Sequence, residues 1–432
     1  MTKISYIVGV IALTVGTVAN ALPQTKYTSS CKLLAPKQGE YDEEKMPTIT
    51  SESAYKKITA ANEAYADGKY NESIAILNDI IENSGDKVVV GRSIYLLGVN
   101  YREMGQYAAA KRELIRAMGT GMLGKQNEVN LRLMLAQIDA SQEDYNSAIR
   151  WMKEYFDEVI NPPATSYATY ASLLYQKQDF RAAICPAYLA IQEGSKSTKP
   201  LYSMLFAAHI ELKDLPGAEV IGREMVELFP AEKSVYNNLF AVLSQRGKSA
   251  DMLALAELAY MNGMWDSETN YKQLSALYSN NQIPLLAAER LEEGVNKGIV
   301  ESDEDVWKSI ANSYKYAKAS DKAVAAYKKA ASFVSNGQYD YQIASVYFYD
   351  EEYTKAIEAF KTAIRKGNLK DGDAGYAYLQ MGVAHQRLGQ PNQAISALEQ
   401  ARNYKNVSKN ATAYIGYIQQ IEKMKKELAL ND

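Results

Sequence analysis

The chain has 432 residues, 48 basic and 51 acidic, for a formal net charge of -3. Apolar residues make up 47% and charged residues 23%, the balance of a folded chain and not of a disordered or collagen-like one. No basic excess is available to offset phosphate, which argues against nucleic acid as a partner. Two Cys build neither a disulfide framework nor a Cys-rich zinc site, and the two His, His209 and His385, are far apart in the chain. No Gly-x-Ser-x-Gly element or other catalytic constellation is found, so the reading is of a non-enzyme without cofactor or metal.

In chain order, Lys3 is followed by an apolar run, Ile4 to Val18, and then by Ala19-Asn20-Ala21. A charge, a short apolar segment and a small-x-small site form a secretory signal, with cleavage expected after Ala21. The run is short for a membrane span, which needs about 20 residues. An uncleaved anchor is the other reading. The expected mature chain is exported and carries no transmembrane segment. Residues 22–50 hold Pro23, Pro36 and Pro47 without apolar periodicity, which predicts an extended leader. Cys31 lies too far past the apolar run to be a lipid-attachment site. In an oxidising compartment it could pair with Cys185; two unconnected thiols are the alternative.

From residue 51 to 405 the chain repeats itself. Tyr378, Met381-Gly382, His385, Gly389, Ala394, Leu398 and Ala401 recur at the same offsets as Ile94, Leu97-Gly98, Tyr101, Gly105, Ala110, Leu114 and Ala117. Trp307, Ile310-Ala311, Tyr314, Ala323, Tyr327 and Ala330 form a third copy, and Ala344, Tyr347, Ala356, Phe360 and Ala363 a fourth. The small residue opening the second half of each unit falls at Ser73, Ala110, Ala148, Ala183, Ala218, a degenerate site near Met252, then Ala287, Ala323, Ala356 and Ala394. This pattern resembles the tetratricopeptide repeat. The resemblance implies an all-α fold, a right-handed superhelical solenoid of about ten helix hairpins. A single amphipathic stripe over residues 406–432, with Tyr414, Ile415, Ile418, Ile421 and Met424, predicts a C-terminal capping helix and tail. The 33 Tyr are expected mostly as ring-shaped spacers in the core.

Other motifs are weak. Gly85, Gly91, Arg92 and Ser93 echo a phosphate loop, but the spacing is too long and no strand precedes them. They read as the link between the first two hairpins. His385 stands where the repeat places a packing Tyr. His209 has no carboxylate pattern around it.

Function is therefore sought on the concave wall made by the first helices. The register places Arg92, Tyr95 and Arg102 there in hairpin two, and Lys308, Asn312 and Lys315 in hairpin eight. Tyr341 and Phe348 follow in hairpin nine, and Tyr376 and Gln386 in hairpin ten. Cations beside aromatic rings suit an extended segment with carboxylates and apolar anchors. A solvated wall without a ligand is the alternative.

A closer resemblance lies between about 200 and 400. Leu253-Ala-Leu-Ala-Glu-Leu-Ala-Tyr260, Gly263, Trp265, Tyr271-Lys-Gln-Leu-Ser-Ala-Leu-Tyr278, Ile283-Pro284, Leu291-Glu-Glu-Gly294 and Asp321-Lys322-Ala323 carry it. The run is similar to periplasmic tetratricopeptide-repeat proteins associated with TonB energy-transduction systems of Gram-negative bacteria. That resemblance implies a periplasmic adaptor in a TonB-type outer-membrane nutrient (iron) uptake system, with TonB, ExbB or ExbD-type subunits as protein partners. The alternative is a scaffold for cell-envelope assembly: outer-membrane protein insertion, polysaccharide export or wall synthesis.

Overall fold

A computed structural model describes residues 25–27, 31, 39–41, 48–195, 198–370 and 372–429. The expected export signal, residues 1–21, lies outside the described residues. Those described form 21 α-helices and no β-strand. Twenty of the helices pair into ten hairpins. Hairpins one to five are α1 Glu52–Ala66 with α2 Tyr70–Asn83, α3 Lys87–Glu103 with α4 Tyr107–Met118, α5 Lys125–Ser141 with α6 Tyr145–Glu158, α7 Ala164–Gln176 with α8 Phe180–Gln192, and α9 Thr198–Glu211 with α10 Leu215–Leu228. Hairpins six to ten are α11 Lys233–Gln245 with α12 Ser249–Met261, α13 Glu268–Asn280 with α14 Pro284–Asn296, α15 Glu304–Tyr316 with α16 Ser320–Ala331, α17 Gln338–Tyr349 with α18 Tyr353–Lys366, and α19 Asp373–Arg387 with α20 Pro391–Arg402. The last helix is α21, Ser408–Ala429.

The chain divides into two compact units, Met1–Phe229 and Pro230–Asp432. The first carries hairpins one to five and the second hairpins six to ten with α21. Within each unit, every helix packs on the next in sequence. First helices also reach the next first helix in the pairs α1–α3, α7–α9 and α17–α19. No two second helices make such a contact to a comparable extent among the described residues. The first helices therefore line the inner side of each unit.

Why each hairpin closes is a matter of backbone hydrogen bonding. In all ten, the residue capping the second helix donates its N–H to the carbonyl five residues back in the first helix, as in Lys69 to Ala64, Gln106 to Tyr101 and Gln390 to His385. The residue between has positive φ. This is a Schellman turn whose last residue also opens the next helix, so a very short link satisfies both helix ends. Gly68, Gly105, Gly247 and Gly389 occupy the left-handed position as expected. The other six hairpins place Glu143, Gln178, Lys213, Gln282, Lys318 or Glu351 there, with φ between 54 (Lys213) and 64 (Gln178). The register, not the local sequence, imposes that strain.

The small residue predicted to open each second helix sits four residues after the cap. Ser73, Ala110, Ala148, Ala218, Ala287, Ala323, Ala356 and Ala394 are fully buried, and Ala183 nearly so. At the degenerate sixth site, Met252 is only half-buried. Opposite this residue the first helix also needs a small one. A Cβ on Gly382 would meet Leu398 Cγ at 2.5 Å. Leu114, Leu135, Met152 and Tyr155 continue the core of the first unit, and Ile310, Tyr314, Tyr327 and Phe360 that of the second.

The tyrosines do more than fill space. In the second unit their hydroxyls donate to carboxylates of the neighbouring hairpin: Tyr260 to Glu293 at 2.6 Å, Tyr339 to Glu304 at 2.7 Å, Tyr278 to Glu257 and Tyr314 to Glu292. Burial, helped by the Glu293 carboxylate, pushes Tyr260 up to about 12, so it stays a donor across the physiological range.

Two sequence expectations are corrected. The link between hairpins one and two ends at Asp86, which caps α3 through its carboxylate, and Gly91 and Ser93 lie buried inside that helix. The capping helix buries a narrower stripe than its pattern suggested. Ile415 and Ile418 pack with Leu398 and Ala411, but Tyr414 and Met424 are exposed. For Met424 the reason is length: α21 has 22 residues and its partner α20 only 12.

Two outcomes follow for stability. Lys318→Gly should raise the urea midpoint by the equivalent of about 0.5–1 kcal/mol, because relief of left-handed strain exceeds the added unfolded-chain entropy; a lower midpoint would contradict the strained turn. Tyr314→Phe should lower stability by about 1.5–3 kcal/mol, since it removes a hydrogen bond to a charged acceptor and strands Glu292; calorimetry of the second unit's transition reads this directly.

Candidate functional site

The expected wall residues fall into two groups, one in each unit. In hairpin two, Arg92, Tyr95 and Arg102 are all half-buried on α3. Tyr95 packs on the core formed by α3 to α8, and burial raises its hydroxyl. Arg102 is tied to its neighbour Glu103, with Nη2 2.5 Å from Oε1. The positive charge of Arg102 is thus met locally.

Hairpins eight to ten bring the other seven together. Lys308 is exposed on α15 and paired with Asp305 at 3.1 Å. Asn312 accepts a 2.6 Å hydrogen bond from Tyr327 of α16, so its side chain holds the hairpin together and its free edge is small. Lys315 reaches from α15 to Gln342 of α17 at 3.2 Å, and burial pushes its ammonium pKa down. Tyr341 packs on Phe360 with ring centroids 5.8 Å apart, and burial pushes its hydroxyl up to about 12. Phe348 meets Tyr349 edge-on at 5.7 Å and Tyr353 at 5.9 Å. Tyr376 is 44% exposed on α19, and Gln386 is half-buried near its end.

Two residues of this wall escaped the sequence reading. Tyr316 and Tyr349, the last residues of α15 and α17, are 78% and 70% exposed. They follow directly on Lys315 and Phe348. Their signal was present as a repeated aromatic at the end of the first helix, but the tyrosine-as-core expectation absorbed it. With Tyr376 they expose rings on three successive hairpins. In the same unit, α13 and α15 flank a cleft of about 490 Å³ whose lining includes Lys272, Ser275, Ser279, Leu291, Asp305 and Val306. The lining mixes hydroxyl, apolar and ionic groups. Among the described residues no group of three or more His, Cys, Asp or Glu is placed to hold a metal ion, and no helix is long and apolar enough to cross a membrane.

The first unit holds a second polar feature. His209 is fully buried on α9, and its Nδ1 lies 2.9 Å from Asp214 Oδ2. This corrects the expectation of no carboxylate near it: Asp214 stands five residues on, at the cap of α10, where His385 finds Gln390 at 2.7 Å. Gly217 makes the room, since a Cβ there would lie 2.3 Å from His209 Nδ1. Lys26 of the leader adds an ion pair to Asp214 at 3.1 Å, and the Tyr27 ring lies 5.6 Å from the imidazole. Burial pushes the His209 pKa below 6.5, more than Asp214 raises it. Burial pushes Asp214 up, but Lys26 and His209 together outweigh it and hold the carboxyl below its usual range.

Residues 375–404, the tenth hairpin, match the tetratricopeptide repeat family. No curated protein matches the sequence. Among solved structures, the chain is similar to the C-terminal part of a TPR repeat-containing protein from Cytophaga hutchinsonii, with 16% identity over 64% of this chain and 95% of that one and a TM-score of 0.35. It is similar to a tetratricopeptide repeat protein from Parabacteroides merdae, with 16% identity over 56% and 93% and a TM-score of 0.32. A third is YrrB, described as a TPR protein with an unusual peptide-binding site, with 14% identity over 45% and 96% and a TM-score of 0.33. The backbone register of the tenth hairpin runs through all ten, so the fold is a solenoid of tetratricopeptide-type hairpins.

The buried His209–Asp214 pair has a pH signature. Below about 6.5 the unfolded chain takes up a proton on His209 that the folded chain refuses, so stability falls as pH falls. The lowered Asp214 acts in the same direction further into acid, as pH drops through its folded pKa. Urea stability of the chain should therefore decline from pH 7 to pH 5, and His209→Gln should flatten that decline. An equal slope in both proteins would remove His209 from the account.

Proposed function

We propose that the chain is an exported, non-catalytic adaptor that binds an extended protein segment along the inner wall of hairpins eight to ten. The observation carrying this reading is the set of exposed rings on three successive first helices, Tyr316, Tyr349 and Tyr376, beside Lys308 and Lys315. Exposed aromatics on successive first helices lose water on binding and give anchor points at low entropic cost, and flanking cations favour a segment with carboxylates. The Arg92–Arg102 face of hairpin two offers a second, weaker contact in the first unit.

For the setting, we propose the periplasm and a TonB-type outer-membrane nutrient uptake system, with subunits of the TonB, ExbB or ExbD kind as partners. The opening segment of the sequence supports export, and the likeness of residues 200–400 to TonB-associated repeat proteins supports the system.

Crosslinking and affinity capture of the mature protein from its own envelope, followed by mass spectrometry, tests this. Subunits of the energy-transducing complex should be recovered, and Tyr349→Ala combined with Lys315→Glu should cut recovery about tenfold. Recovery should also fall with ionic strength to the extent that the lysines contribute. Recovery of outer-membrane assembly, polysaccharide-export or wall-synthesis factors alone would overturn the TonB reading in favour of an envelope scaffold.

A further inference from the structure

The leader is pinned to the first unit on both sides of Cys31. On one side, the Tyr41 hydroxyl accepts the Ile160 backbone N–H at 2.9 Å, and Asn161 Nδ2 donates to the Gly39 carbonyl at 3.0 Å. Ile160 and Asn161 belong to the link between α6 and α7. On the other side, Thr25 hydrogen-bonds Tyr188 of α8, Lys26 pairs with Asp214, and Tyr27 lies between the His209 ring and the Arg181 guanidinium, 5.7 Å from the latter. Between these anchors the Cys31 side chain makes hydrogen-bonding contact with that of Cys185, near the middle of α8. Both are thiols in this structure, Cys31 half-exposed and Cys185 buried. They are the only two cysteines of the chain.

We propose that Cys31 and Cys185 close a disulfide that fastens the N-terminal strap across hairpins three to five. Two independent anchors hold the strap in place before any covalent step, so the thiols meet at high effective concentration despite the long stretch of chain between them. Their roles differ. Contact with Cys185 makes the Cys31 thiol more acidic, while Cys185 is pushed the other way. Cys31 is also the one open to solvent, so it reacts first.

The oxidant is a disulfide, of a small molecule or of an oxidoreductase. The Cys31 thiolate attacks one of its sulfurs, forming a mixed disulfide and expelling the first thiolate. Cys185, giving up its proton, then attacks the Cys31 sulfur and expels the second thiolate. One S–S bond forms in the chain and one breaks in the oxidant. Two electrons and the two cysteine protons end on the oxidant as two thiols. Reduction reverses this and leaves the strap held only by the polar anchors. The inference shares with the adaptor reading only the oxidising compartment in which such an oxidant is met.

The test uses the full mature chain, purified reduced and then incubated with oxidised glutathione. Each sample is denatured, alkylated with a maleimide and weighed intact. The reduced chain should take up a label on each cysteine and the oxidised chain none, while remaining monomeric; proteolysis should yield a linked peptide containing Cys31 and Cys185. Cys31→Ser should keep its helical signal and leave Cys185 open to the maleimide. Lys26→Ala combined with Tyr41→Phe should slow closure roughly tenfold, because it weakens the anchors that raise effective concentration. Full labelling after oxidation, stable glutathione adducts, or intermolecular dimers would overturn the proposal. So would closure at the unchanged rate in the anchor variant, which would detach the bond from the strap. None of these readouts depends on which partner the second unit binds.

Discussion

A buried small residue four positions into the second helix sets the distance at which each helix pair packs. Where that residue is Ala or Ser, the first helix can press against it, and the Gly or Ala opposite takes up the flanking Leu, as Gly382 does with Leu398. Close approach brings the two ends of the hairpin within reach of a single left-handed residue. The Schellman turn then satisfies both helix termini at once. Six hairpins hold a non-glycine there, which shows the order of forces. Burial of the hairpin's apolar faces is worth more than about 1–2 kcal/mol of left-handed strain at one residue.

No hairpin buries both its faces alone, so stacking carries the rest of the stability. Tyrosine suits this task because its ring fills the space between hairpins and its hydroxyl reaches past them. Tyr260, Tyr278, Tyr314 and Tyr339 each end on a carboxylate of the adjoining hairpin. A carboxylate left half-buried by stacking gains a donor, and a ring gains a fixed orientation. Where no such acceptor lies across the interface, as at Tyr316 and Tyr349, the same residue type stays on the surface and becomes available to a partner.

The first unit uses its polar groups differently. A histidine takes the place where other hairpins carry a packing tyrosine, and it survives burial because Asp214 accepts from it and Gly217 makes room. The leader then covers this pair with Lys26 and Tyr27. A segment without apolar periodicity acquires its position from a few contacts, ionic and aromatic ones with hairpin five and backbone ones with the link between hairpins three and four.

The periodicity of Ala, Gly and aromatic residues was enough to determine the number of hairpins, the helix pairing within them and the capping helix, because burial at the helix crossing restricts residue type strictly. The wall residues were legible only as a face. Arg102, Lys308 and Asn312 were assigned to it by register, but their local partners, Glu103, Asp305 and Tyr327, follow from side-chain geometry that no period encodes. Tyr316 and Tyr349 were hidden because the same letter serves core and surface. Tertiary structure alone decided the contacts of Cys31 with Cys185 and of Lys26 with Asp214, which join residues distant in the chain. Local propensity and repeat offsets are properties of neighbours in sequence; such meetings depend on where the whole stack carries each helix.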